Sequence, residues 1–211
     1  MDIANKIYST YLNNSYVSEN IGASYIGHEC ERYIYYTWKN ILPVNDGRVL
    51  KIFETGNIQE DIIISRIKQN GFNIYHQQKR LVDNEINNLT GKIDGILDYN
   101  NKEYILEVKT FNDKRFKDLL KNGVILSNSL HYAQMIMYMG WTEIMQSLYV
   151  AINKNDETIY TEIVNFDILL FHALRSKAKK IIESKEIPKG ISDKKTFFKC
   201  KMCHFNKVCF K

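Results

Sequence analysis

Apolar and polar residues alternate with a period of about two along Gly91-Lys92-Ile93-Asp94-Gly95-Ile96-Leu97-Asp98, and again along Tyr104-Ile105-Leu106-Glu107-Val108-Lys109-Thr110. The Asn100-Asn101 pair between them is a turn signal, so the pattern predicts two adjacent antiparallel strands. Alternation puts Glu107 and Lys109 on one face of the second strand, and Asp94 can reach the same end of its neighbour. Two carboxylates and an ammonium would then meet at the edge of an otherwise apolar sheet. Oxygen ligands of this kind suit magnesium or manganese, with a lysine beside an attacked phosphate. A hairpin whose charges simply face water would show the same alternation.

Around this centre the periodicity is mostly helical. Ile3, Ile7 and Tyr11 mark a short amphipathic helix within residues 1 to 20 that runs into an Asn/Ser-rich loop. Ser24 stands where an N-cap would open a second helix, whose aromatic residues behind Cys30 give it a wide buried face. Pro43 and Asn45-Asp46-Gly47 break the pattern. A longer helix is predicted over 49–70, ended by Gly71. Gly56 inside it costs about 1 kcal/mol relative to alanine and asks for a reason. Glu60 lies one turn on, so a close backbone approach beside a carboxylate would make an active-site edge; an ordinary exposed glutamate is the alternative.

Residues 72–83 read as a strand. Beyond the hairpin, 113–122 is a charged helix ended by Gly123, and Ser129 caps a helix ended by Gly140, on which Gln134 and Tyr138 share a face. Residues 145–164 are two strands around an Asn155-Asp156 turn, 167–185 a basic amphipathic helix, and Pro188, Gly190 and Ser192 a linker. The order predicts an α/β fold, a mixed central sheet flanked by helices.

With 211 residues, 45% hydrophobic and 25% charged, the chain is expected to form one globular domain. Its parts are a helical segment 1–45, a core 46–185 and a basic cysteine-rich tail 186–211. Neither a membrane span nor a signal peptide is visible, so a reducing cytoplasm is the expected location, where cysteines are more often metal ligands than disulfides. Residues 175–211 carry twelve Lys or Arg against three acids, a net of +9, which leaves −4 for residues 1–174. A basic region on an acidic body suits a polyanion held beside a cation-binding carboxylate cluster; a solvated lysine face is the plainer account. Cys200, Cys203 and Cys209 follow a C-x2-C-x5-C spacing, and Cys30 is the remaining cysteine. Four thiolates can hold a tetrahedral zinc or a [4Fe–4S] cluster. His204 could replace one of them in a zinc site, or Cys30 could be a small buried hydrophobe.

Taken in order, these motifs resemble the RecB-like branch of the PD-(D/E)XK nucleases, particularly its iron–sulfur members, which include the fourth CRISPR-associated protein family and the nuclease domain of AddB. Cys30-Glu31-Arg32 resembles the N-terminal cysteine motif, Gly56 to Glu60 the first nuclease motif, Asp94 the second and Glu107-Val108-Lys109 the third. Gln134 to Tyr138 resembles the Q-x3-Y motif, and Cys200, Cys203 and Cys209 the terminal triplet. Two departures stand out: no proline follows Cys30, and glutamate replaces histidine at position 60. The resemblance implies a restriction-endonuclease-like core with an iron–sulfur cluster joining the N- and C-terminal segments. Glu60, Asp94, Glu107 and the Val108 carbonyl would ligate magnesium or manganese. Lys109 would position the attacking water and neutralise the phosphate, while Gln134 and Tyr138 would orient Lys109. Arg32, Tyr138 and Lys199 are the expected DNA contacts, with Tyr132, Trp141, Phe197 and Phe198 as further stacking surfaces. The cluster, on Cys30, Cys200, Cys203 and Cys209, would be structural, with zinc as the alternative. The implied activity is a metal-dependent exonuclease on single-stranded DNA or DNA ends. Recombination or CRISPR-adaptation partners and a homo-oligomer fit the same resemblance. A catalytically silent nucleic-acid-binding or assembly protein on this fold is the rival.

Overall fold

The computed structural model describes residues 2–13, 19–41 and 47–210, with Asn13 described by its backbone alone. Pro43, Asn45, Asp46 and the Asn/Ser-rich stretch 14–18 lie outside the described residues. Helix α1 (Ile3–Asn13) is followed by strand β1 (Ile21–Gly22) and helices α2 (Ala23–Ile26), α3 (Glu31–Trp38) and α4 (Gly47–Gln69). Strands β2 (Asn73–Tyr75), β3 (Arg80–Val82), β4 (Leu89–Lys92), β5 (Gly95–Tyr99) and β6 (Lys102–Phe111) come next. Helices α5 (Asp113–Ser127) and α6 (Ser129–Thr142), strands β7 (Gln146–Asn153) and β8 (Ile159–Asn165), and helices α7 (Ile168–Glu183), α8 (Phe198–Lys201) and α9 (Asn206–Cys209) complete the order.

The main sheet runs β2-β5-β6-β7-β8. Its β6–β7 pair is parallel and the other pairs are antiparallel. A parallel pair needs a crossover, and α5 with α6 supplies it. Asn100 and Asn101 join β5 to β6 in the left-handed region (φ 53° and 60°), the conformation a tight two-residue hairpin requires. Strand β6 is buried on both faces. Leu106 and Val108 pack with Ile64 of α4, while Ile105 faces the larger core that includes Met135, Ile136 and Tyr149. Side-chain caps start several of the described helices. Asn112, Asn128 and Asp167 accept hydrogen bonds from the backbone N–H of Arg115, His131 and Leu170.

Several boundaries differ from the sequence-based expectation, each for a local reason. Gly91 and Lys92 belong to β4 of a second sheet, β1-β4-β3, so the first half of the expected hairpin bends between two sheets at Ile93-Asp94. Residues 72–83 form two strands in those two sheets, because His76 and Gln78 take positive φ (51° and 56°) between them. Ser24 lies inside α2 and caps nothing; Gly22 precedes that helix, and a break over Gly27–Cys30 separates it from α3. Asn128, not Ser129, caps α6. Gly123 interrupts α5 (φ 68°, ψ 173°) without ending it. Gly140 does not end α6 either. A Cβ there would lie 2.3 Å from Phe171 Cε2, so this glycine lets α7 pack closely. Gly56 has no such role, since its nearest neighbour, Thr110 Oγ1, would be 3.6 Å from an added Cβ.

Candidate active site and thiol cavity

The bend at Asp94 and the end of β6 bring three carboxylates around one ammonium. Lys109 Nζ lies 2.7 Å from Glu107 Oε1, 3.7 Å from Glu60 Oε1 and 3.9 Å from Asp94 Oδ2. It also donates to the Val108 carbonyl at 2.8 Å, which turns that oxygen toward the same point. Asp94 Oδ2 accepts from the Val108 N–H at 2.8 Å, locking the bend onto β6. Glu60 arrives from α4, on the other side of the sheet end. The Glu107 side chain is 0% exposed. Lys109 Nζ meets its Oε1 at 2.7 Å, while its Oε2 is buried and accepts no hydrogen bond. Among the described residues only Gln59 Oε1 shares that state.

Such burial is costly unless charge is compensated. Burial pushes Glu107 up to about 8, against the pull of Lys109 and with a further push from Asp94. Glu60 rises to about 7, again through burial, with Lys109 opposing and Asp94 reinforcing. Burial also opposes the charge on Lys109, but the surrounding carboxylates outweigh it and raise its pKa. Three acids against one ammonium leave an excess of negative charge that a proton or a cation must neutralise. The donors, carboxylate and carbonyl oxygens, match a hard divalent cation. Among the described residues no three His, Cys, Asp or Glu side chains are closed around a single-ion position. Lys109 Nζ stands between the carboxylates here.

Gln134 and Tyr138 act on the backbone beside Asp94 and not on Lys109. The Tyr138 hydroxyl donates to the Lys92 carbonyl at 2.9 Å and accepts from the Lys92 N–H at 3.3 Å and from Gln134 Nε2 at 3.1 Å. Tyr138 therefore fixes the strand two residues before Asp94. Gly91 makes room for its ring, since a Cβ there would lie 2.4 Å from Tyr138 Cε1. Nothing in the spacing of Gln134 and Tyr138 reveals Lys92 as their partner.

The four cysteines, all free thiols, line one cavity of about 550 Å³ with His28, Arg32, Tyr33, Tyr36, His204 and Phe205. Its wall is aromatic: His28 stacks on Tyr33 at 3.9 Å, and Phe205 meets Tyr33 and Tyr36 edge-on at 5.3 and 5.4 Å. Cys30 sits at the N-cap of α3, its backbone N–H held by His28 Nδ1 at 3.0 Å. Burial, reinforced by neighbouring thiolates, raises the pKa of Cys200 and Cys203. Four sulfur donors fit a metal centre.

No protein-family model matches the sequence, and no curated protein is a significant match to it. Solved structures do match. LHK-Exo, an alkaline exonuclease from Laribacter hongkongensis, has a TM-score of 0.60 at 12% identity, covering 84% of this chain and 90% of its own. Its complex with dAMP gives 0.61 at 13% identity with the same coverage. The structure of SSO0001 gives 0.61 at 17% identity, covering 97% of this chain and 92% of its own. The chain shares the fold of these structures.

The side chains expected to contact DNA make contacts within the protein itself. Arg32 Nε donates to the Pro188 carbonyl at 2.8 Å and its Nη1 to Cys209 Sγ at 3.1 Å. Lys199 pairs with Glu29 at 2.6 Å, Lys180 with Glu31 at 2.9 Å, and Lys177 donates to the His28 carbonyl at 3.1 Å. Part of the basic C-terminal region thus clasps the segment around Cys30. Tyr138 is only 2% exposed, and Trp141 donates to Asp83 at 2.9 Å beside the core, so Tyr138 offers no free stacking face and Trp141 is held by its indole N–H. Phe198, 65% exposed, lies on the tail. One feature near the site carried no signal in the sequence: His131 Nδ1 and the Tyr149 hydroxyl pair at 2.7 Å, with Lys109 close enough to act on the imidazole. No helix among the described residues is long and apolar enough to cross a membrane.

Proposed function

We propose that this chain is a metal-dependent deoxyribonuclease, an exonuclease acting on single-stranded DNA or DNA ends. The observation that carries this reading is Glu107, fully buried with Oε2 accepting no hydrogen bond, while Lys109, Asp94, Glu60 and the Val108 carbonyl crowd the same point. Glu60, Asp94, Glu107 and the Val108 carbonyl would hold magnesium or manganese. Bound there, the cation would supply positive charge for the developing phosphate dianion and acidify the attacking water. Lys109, tethered by Val108 and Glu107, would orient that water and neutralise a phosphate oxygen. Tyr138 and Gln134 would keep Asp94 in place through Lys92. LHK-Exo, an alkaline exonuclease on a similar fold, supports a nucleic-acid substrate. Cys30, Cys200, Cys203 and Cys209 would hold a [4Fe–4S] cluster that joins the two segments of the cavity, with zinc as the alternative.

The test is DNA degradation with magnesium or manganese, wild type beside Lys109→Ala, on linear single-stranded, linear duplex and circular single-stranded DNA. Cleavage by the wild type that falls about 100-fold or more in the variant is expected, as when one stabilising group of a transition state is removed. Sparing of circles makes it an exonuclease. Absence of metal-dependent cleavage on every substrate would instead favour a silent DNA-binding protein.

A further inference from the structure

Arg32 stands where the three parts of the thiol cavity meet. It lies on α3, two residues after Cys30. Its guanidinium reaches the Pro188 carbonyl in the linker with Nε and the Cys209 sulfur on α9 with Nη1. No carboxylate pairs with Arg32 in its described contacts; the acids on either side of Cys30, Glu29 and Glu31, are taken by Lys199 and Lys180. The guanidinium is therefore directed at a sulfur rather than at an acid or at solvent.

A cation that hydrogen-bonds a ligating sulfur lowers the electron density on it. Hydrogen bonds and nearby charge are among the main determinants of iron–sulfur potentials. We propose that Arg32 is a positioning and tuning residue of the thiolate centre, holding Cys209 in reach through Pro188 and raising the centre's reduction potential through its bond to the Cys209 sulfur. This rests on the cluster reading given above. The planar fork is essential to the geometry, because a lysine at this position has one point of charge and cannot serve both acceptors in the same way. Arg32 is thereby removed from the set of DNA contacts.

The experiment uses the full chain purified without oxygen, as wild type, Arg32→Lys, Arg32→Gln and Lys180→Ala. Iron per chain, the rate of iron loss to a chelator, the visible spectrum and the midpoint potential in a dithionite titration are measured on each, with the melting temperature alongside. Arg32→Gln should lose iron roughly 10–100-fold faster, the usual cost of removing an outer-shell partner. Its remaining cluster should show a lower potential, and Arg32→Lys should fall between it and the wild type. Lys180→Ala breaks a salt bridge to α3 without touching sulfur, so its potential should equal that of the wild type. A cluster in Arg32→Gln with unchanged potential and iron retention would overturn the proposal, even if that variant melted earlier. Wild-type protein holding zinc or no metal would overturn the cluster reading and this inference with it.

Discussion

A methyl group added at Gly56 would meet nothing closer than Thr110 Oγ1 at 3.6 Å. Gly56→Ala should therefore raise stability by about 1 kcal/mol, the helix propensity difference, seen as a higher urea midpoint with an unchanged slope. At Gly140 the same methyl would collide with the Phe171 ring, and Gly140→Ala should destabilise by about 1–3 kcal/mol. The two glycines look alike in the sequence, and only the packed partner separates them. His131 supplies a pH effect at the same scale. Burial and the positive charges of Lys109 and Arg115 hold its pKa at about 3, against 6.5 for a free histidine. Between these values the unfolded chain binds a proton that the folded chain does not, so this residue makes stability fall as the pH drops from 6.5 toward 3. Urea titrations across that range should show a shallower decline in His131→Gln than in the wild type.

Asp83 is where separate elements are fastened together. It follows β3, and its side chain is 0% exposed. It accepts from Arg175 of α7 at 2.7 and 2.8 Å and from Trp141 of α6 at 2.9 Å. Burial alone would raise its pKa, yet these bonds bring it below the usual carboxylate range. Arg175→Ala would leave a buried, unpaired charge and should cost about 3–5 kcal/mol in chemical unfolding. That triad cannot be read from the sequence, because its members stand 58 and 92 residues apart in the chain. Short-range signals were legible: the Asn100-Asn101 turn, the start of α7 near Asp167, the end of α4 near Gly71. Strand membership was less so. Periodicity assigns Gly91 and Asp98 to one strand, whereas pairing with β1 and β3 draws Gly91 into the second sheet.

Across the whole molecule, the cavity joins α3 to the tail, so its cysteines should act as one unit. Cys30→Ala is expected to lower metal content and thermal stability about as much as Cys203→Ala, despite the sequence distance between them. Full metal content in Cys30→Ala would exclude a shared centre. The acid and lysine residues of the candidate site were visible in the sequence because strand alternation and helix spacing carry them. The fate of Arg32 and Lys199 was not, because a list of charges does not show which carboxylate, carbonyl or sulfur lies opposite.

The same cavity has a consequence in time. Cys30 precedes Cys200 by 170 residues. At synthesis rates of roughly 5–20 residues per second, the aromatic face of α3 waits about 10–30 seconds for the segment that covers it. Tyr33, Tyr36 and the Cys30 thiol are available during that interval to oxidants and to other growing chains. The yield of intact protein in a cell should accordingly depend on the speed of translation through residues 31–209.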